Sequence, residues 1–181
     1  GILGPGEDIT VKFSEDILFS SALSRIQIKG ETNQQEISHD VSIHFEGFAN
    51  TVVLEKPNVV SGDFSIEFWL QNQTTGTATL MSQPGALSVT LNNGRLSWTL
   101  GAHTVEGGIA NDGLFHHYTL TYRADAHEMR IYQDDKELAS LANATGLTNA
   151  GSEALTIGGN TFVGNLHDLR LWARPLSLAD A

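Results

Sequence analysis

The stretch from Asp112 to Ser140, DGLFHHYTLTYRADAHEMRIYQDDKELAS, constrains this chain more than any other. Phe115–Tyr122 and Met129–Tyr132 are rich in aromatic and branched residues, and the polar Arg123–Glu128 separates them. Successive side chains of an extended chain point to opposite sides. His116, Tyr118, Leu120 and Tyr122 therefore share one face, and Phe115, His117, Thr119 and Thr121 the other. Asp134-Asp135-Lys136 then turns the chain toward Glu137–Ala142. Apolar runs of this length between polar turns predict a meander of antiparallel strands.

The same pattern recurs along the chain. Ile9–Phe13, Arg25–Lys29, Val41–Phe45, Thr51–Glu55, Thr77–Gln83, His103–Ile109, Ala154–Gly158 and Leu166–Trp172 all read as strands. In Asp63–Leu70, Phe64, Ile66, Phe68 and Leu70 fall on one face, with Ser65, Glu67 and Trp69 opposite. Leu87, Val89 and Leu91 alternate up to Asn93-Gly94, and Leu96, Trp98 and Leu100 follow it. An Asn-Gly pair between alternating strands predicts a two-residue hairpin turn with Gly94 at positive φ, because both residues accept that conformation. No long segment repeats its apolar residues every 3.6 positions. The fold expected is all-β, a two-sheet antiparallel jelly-roll sandwich. Phe64, Ile66, Phe68, Leu120, Ile131, Leu155, Ile157, Leu169 and Leu171 are its expected core. Ser177–Ala181 has the residues to begin a helix, with Ser177 as cap.

Three segments also resemble a known family. Phe115–Ala142 is similar to the "WHHVALTYDG…LYVDGKLVA" segment of laminin-G-like, concanavalin A-like jelly-roll domains, with Phe115 in place of the usual Trp. Phe45–Val52 resembles the opening "FDGxNDYV", and Phe162–Ser177 the closing "FxGxIDEVRIWNRALS". The matches keep the family's order over about residues 42–181. The preceding ITVKFSEDI…IQIKG resembles the end of a bacterial immunoglobulin-like repeat. The expected division is thus residues 1–38, a partial immunoglobulin-like segment or linker, and residues 39–181, the jelly roll. Ile9–Gly30 should contain at least one strand, either packed on the main domain or left from a preceding module.

Composition narrows the function. A formal charge of −11 speaks against nucleic acid, which needs a basic surface. There is no cysteine, hence no disulfide frame or thiol chemistry. Secreted eukaryotic laminin-G domains usually carry a disulfide, so this points to a bacterial protein. No stretch approaches the ~20 apolar residues of a membrane-spanning helix. The resemblance implies a non-catalytic recognition or adhesion module that binds a carbohydrate or a cell-surface protein. It would sit beside flanking domains in a larger secreted or surface-anchored protein, with an extracellular or cell-surface location. A structural spacer in a multidomain array is the alternative, and a glycoside hydrolase or lyase the third reading. Glucanases of this fold carry paired carboxylates at alternate positions of one strand. Here Glu67 has no acidic partner two residues away.

Candidate sites follow from residue chemistry. Trp69 and Trp98 could stack on sugar rings, and Glu67 lies in phase with Trp69. His116 and His117 are adjacent strand residues on opposite faces, so they do not chelate one ion together. The resemblance implies a structural Ca²⁺ near the opening motif and closing strand, with Glu46, Asn50 and Asp168 as its oxygen donors. Glu46 and Asn50 replace aspartates of the family pattern, and His167 replaces an acid. The alternative for Asp168 is an exposed pair with Arg170. Alternation sets His167, Leu169 and Leu171 on one face.

Overall fold

The backbone follows the alternation of the sequence almost throughout. A computed structural model describes residues 26–28, 41–47, 50–55, 62–108, 110–145, 153–159 and 161–177. Among these, every regular element is a strand: β1 (Ile26–Ile28), β2 (Val41–Glu46), β3 (Thr51–Leu54), β4 (Phe64–Asn72), β5 (Thr77–Gln83), β6 (Leu87–Asn92), β7 (Arg95–Leu100), β8 (His103–Gly107), β9 (Phe115–Arg123), β10 (Glu128–Gln133), β11 (Lys136–Leu141), β12 (Leu155–Gly158) and β13 (Val163–Trp172). One sheet has seven strands in the order β1-β2-β13-β4-β9-β10-β11, the other six in the order β3-β12-β5-β6-β7-β8. All pairings are antiparallel.

The core lies between the sheets. Phe64, Ile66, Phe68, Leu120, Ile131, Leu155 and Ile157 are buried there, as their alternation predicts. The expected hairpin is present: Asn92 pairs with Arg95, and Asn93 (φ 50°) and Gly94 (φ 79°) form the turn. Both central residues at positive φ make a turn whose twist matches the flanking strands.

The closing strand departs from expectation. His167 pairs with Trp69 and Arg170 with Glu67, so Asp168 and Leu169 together stand opposite Phe68. This is a β-bulge, with Asp168 at φ 53°. The extra residue shifts the phase of the strand. Leu166, not His167, points into the core. Within the bulge Leu169 packs against the core from a half-buried position. Leu171 is not a core residue: it stands opposite Ile66, but the pairing with β2 stops at His167, and it is 37% exposed.

At the N-terminal side, β1 pairs with β2 and adds an edge to the seven-stranded sheet. That supplies the strand expected within Ile9–Gly30. The strand expected at Ile9–Phe13, the boundary at residues 38–39 and the helix start after Ser177 lie outside the described residues.

Candidate functional site

The two outward faces of the sandwich differ in chemistry. Across the six-stranded sheet Val53, Thr156, Ser82, Ser88, Thr99 and Thr104 stand in one row. Five of these six carry hydroxyls and none is aromatic, so along this row the face is mainly a hydroxyl surface. The seven-stranded sheet presents three rows of another kind. His44, Asn165, Gln71 and Phe115 form the first, and Ser42, His167, Trp69 and His117 the second. Arg170, Glu67, Thr119 and Tyr132 form the third. The strand period of two brings these residues from four parts of the chain onto one side.

In the first row the side chains are tied in series. Asn165 Oδ1 lies 2.8 Å from His44 Nδ1, Asn165 Nδ2 donates to Gln71 Oε1 at 2.7 Å, and Gln71 Nε2 donates to the Gly113 carbonyl at 2.8 Å. The second row is an aromatic stack. The Trp69 ring lies parallel to His167 (5.7 Å between centroids, 2°) and tilted against His117 (5.0 Å, 35°). Phe115, 39% exposed, meets His167 edge-on at 5.2 Å. In the third row the Glu67 carboxylate is buried. Its Oε1 lies 3.0 Å from His117 Nε2, and its Oε2 accepts from Trp172 Nε1 at 2.8 Å. Thr119 is buried beside it, and its hydroxyl has no partner among the described residues.

The face is closed at one end. Leu176 donates its backbone N–H to Ser65 Oγ at 2.8 Å, and its carbonyl accepts from Thr121 Oγ1 at 3.1 Å. The chain after β13 thus folds back over Ser65 and Thr121, and Arg174 lies 5.3 Å over the Trp172 ring. The end bearing Phe115 and Gln71 is flanked by the loop that starts β9. His116 fixes that loop: Nε2 lies 2.9 Å from Asp112 Oδ2 and Nδ1 2.6 Å from Asp134 Oδ2. Only the imidazolium can donate to both carboxylates.

This clamp carries a pH prediction. Burial works against the charged ring of His116, but its bonds to Asp134 and Asp112 outweigh that and raise its pKa above the usual 6.5. The Leu114 backbone N–H, followed by His116, lowers that of Asp112 below 3.8. A raised histidine stabilises fully below about pH 6.5 and loses that contribution as pH rises through its folded value. A depressed aspartate stabilises above about pH 3.8 and loses that contribution as pH falls through its folded value. The clamp is thus strongest between the two. Urea unfolding should show stability falling as pH rises above about 6.5, with the fall reduced in His116→Gln. An unchanged pH profile in that variant would assign the effect to another group.

The structure separates the residues expected to act. Trp69 and Glu67 lie together on this face, but the flat sides of Trp69 are taken by the two imidazoles. Trp98 is corrected from a ligand contact to a core residue: it is 0% exposed and packs edge-on against Phe64 at 6.1 Å. Its alternation with Leu96 and Leu100, both buried, points it inward. Glu46, Asn50 and Asp168 do not form one oxygen cluster. Glu46 pairs with Val163, five residues along β13 from Asp168, or roughly 16 Å at strand rise. Asp168 Oδ2 instead accepts from Arg170 at 2.6 Å. Among the described residues no group of three or more His, Asp or Glu side chains is arranged to hold a metal ion. His44, Gln71, Asn165 and Phe115 are not singled out by the sequence, although each is in phase with an outward residue of its strand.

A family model for the concanavalin A-like lectin/glucanases superfamily matches residues 46–181. No curated protein matches the chain. Among solved structures, the binding domain of botulinum neurotoxin DC in complex with SialylT superposes with a TM-score of 0.65 at 14% identity, covering 87% of this chain and 44% of that one. The same binding domain in complex with rat synaptotagmin II gives 0.66 at 16%, covering 87% and 43%. The native heptameric SAP-like pentraxin from Limulus polyphemus gives 0.62 at 15%, covering 76% and 77%. The chain therefore spans less than half the length of the neurotoxin binding domains it resembles. At these identities the likeness is one of fold.

Proposed function

The chain belongs to the concanavalin A-like lectin/glucanases superfamily, and from that premise we propose that it is a non-catalytic binding module whose ligand, a glycan or a cell-surface protein, docks on the outer face of the seven-stranded sheet. The observation that carries this is the relay and aromatic stack of that face, set against the hydroxyl surface of the other sheet. Rigid aromatic and amide groups on strands suit recognition, because little side-chain freedom remains to be lost on binding. Solved relatives of this fold in complex with SialylT and with synaptotagmin favour binding as the general role. Among the described residues no helix is long and apolar enough to cross a membrane. We place the module in a larger secreted or surface protein of bacterial type, next to other domains, at the cell exterior.

Bond cleavage does not fit the acids on this face. A glycosidase needs two carboxyl groups flanking an open space for the scissile bond. Glu67 is held by His117 and Trp172. Asp168 and Glu67 share the Arg170 guanidinium, which lies 2.6 Å from Asp168 and 3.7 Å from Glu67 and so bridges the two acids. Glu137 lies three strands from Glu67, about 14 Å away, beyond the span of an inverting pair. Incubating the protein with a polysaccharide panel while following products and binding tests this. Retention without products is the expected result. Turnover that vanishes in Glu67→Gln would overturn it.

A further inference from the structure

We infer that the ligand of this face is an uncharged oligosaccharide, and that the amides of Gln71 and Asn165, locked in series between His44 and Gly113, read its hydroxyl groups. This rests on the binding role proposed above and names the ligand class. The argument begins with hydrogen-bond capacity. Within the relay each amide uses one N–H and one acceptor position. Each retains one further N–H and one further lone pair, and both side chains are half-exposed. The face thus offers donors and acceptors in equal number. A hydroxyl is donor and acceptor at once and satisfies both. A carboxylate or sulfate only accepts, and would set its charge against the amide oxygens.

Charge points the same way. Arg170, which extends from this face, is already bound by Asp168 and Glu67. The chain as a whole carries −11, which repels anionic ligands at long range. The exposed Phe115 ring beside Gln71 supplies an apolar platform for the C–H face of a sugar. The relay contributes pre-organisation, because the amides cannot rotate away without breaking the three hydrogen bonds that tie β2, β13, β4 and the loop at Gly113 together.

The test is calorimetric titration with cellohexaose, xylohexaose and mannohexaose as neutral probes, and 3′-sialyllactose and a heparin hexasaccharide as acidic ones. At least one neutral probe should bind, with an affinity insensitive to salt. Asn165→Asp keeps the shape but removes the donor to Gln71, and should weaken binding by about tenfold or more. Phe115→Ala, at a ring 39% exposed, should weaken it with only a small fall in the unfolding midpoint. Preference for the acidic probes, or neutral binding unchanged in both variants, would overturn the inference while leaving a binding role intact. No binding of any probe, nor of a glycan array, would overturn the glycan reading itself.

Discussion

Replacing Phe68 with Ala should lower the free energy of unfolding by about 3–5 kcal/mol, as expected for truncating a buried aromatic ring. Phe68 is 0% exposed and sits on β4 between β13 and β9, in the interior of the seven-stranded sheet. Its ring stacks on Tyr118 at 5.6 Å and 22°. Removing it takes away its burial and leaves a void that strands held on both sides cannot close. The β13 bulge stands opposite this residue, so the void would also loosen the backbone that carries Leu169. Urea unfolding is the measurement, with the midpoint falling and the slope unchanged. Phe115→Ala, at a ring 39% exposed, serves as comparison and should cost far less. Equal losses in the two variants would show that Phe68 is not enclosed between the sheets.

Why is so much of the fold legible in the sequence? Where a strand is straight, the period of two is rigid, and one well-placed residue fixes the others. Reading Phe64, Ile66 and Phe68 inward puts Glu67 and Trp69 outward, and Tyr118 and Leu120 inward puts Phe115 and His117 outward; the structure agrees on each. Asn93-Gly94 carries its own conformation in its residue types. The rule fails where the count is broken. A bulge adds one residue to one strand, and nothing in Leu166–Trp172 marks it, since Asp168 is an aspartate and not a glycine. Trp98 misleads for a different reason. A tryptophan reads equally as core or as platform until its alternation is weighed against Leu96 and Leu100.

The site is less legible than the fold because its members are distant in sequence. His44 and Asn165 touch across 121 positions and Asn165 and Gln71 across 94. Strand order, which places β13 between β2 and β4, is what joins them. The outward phase of each residue can be read locally, but not which outward residues become neighbours. The calcium expectation shows the converse. Residues matching a family pattern by position, Glu46 and Asp168, need not converge when the acids around them have changed, and here Asp168 turns to Arg170.

That joining of β2, β13 and β4 depends on Gly164, and Gly164→Ala is expected to cost about 2–6 kcal/mol, combining backbone strain with overpacking. Gly164 pairs with Phe45 on one side and Asn72 on the other, at φ 152°. A Cβ there would lie 2.2 Å from the Gln71 carbonyl oxygen and 3.1 Å from the Phe162 ring. The first neighbour is backbone within a paired strand and cannot step aside without moving β4. Gly62 separates the two contributions. It also has positive φ, 77°, but nothing lies within 4 Å of the place a methyl group would take, so Gly62→Ala should show the strain alone, about 1 kcal/mol or somewhat more. Thermal or urea unfolding of both variants measures the difference. A second readout follows from position. Gly164 precedes Asn165, and the displaced carbonyl belongs to Gln71, so a shift there pulls on both amides of the relay. Under conditions where the variant remains folded, Gly164→Ala should weaken oligosaccharide binding while Gly62→Ala leaves it unchanged. Equal stability of the two variants would show that β4 and β13 can part without cost, and the close approach of those strands would then not be what holds the relay in line.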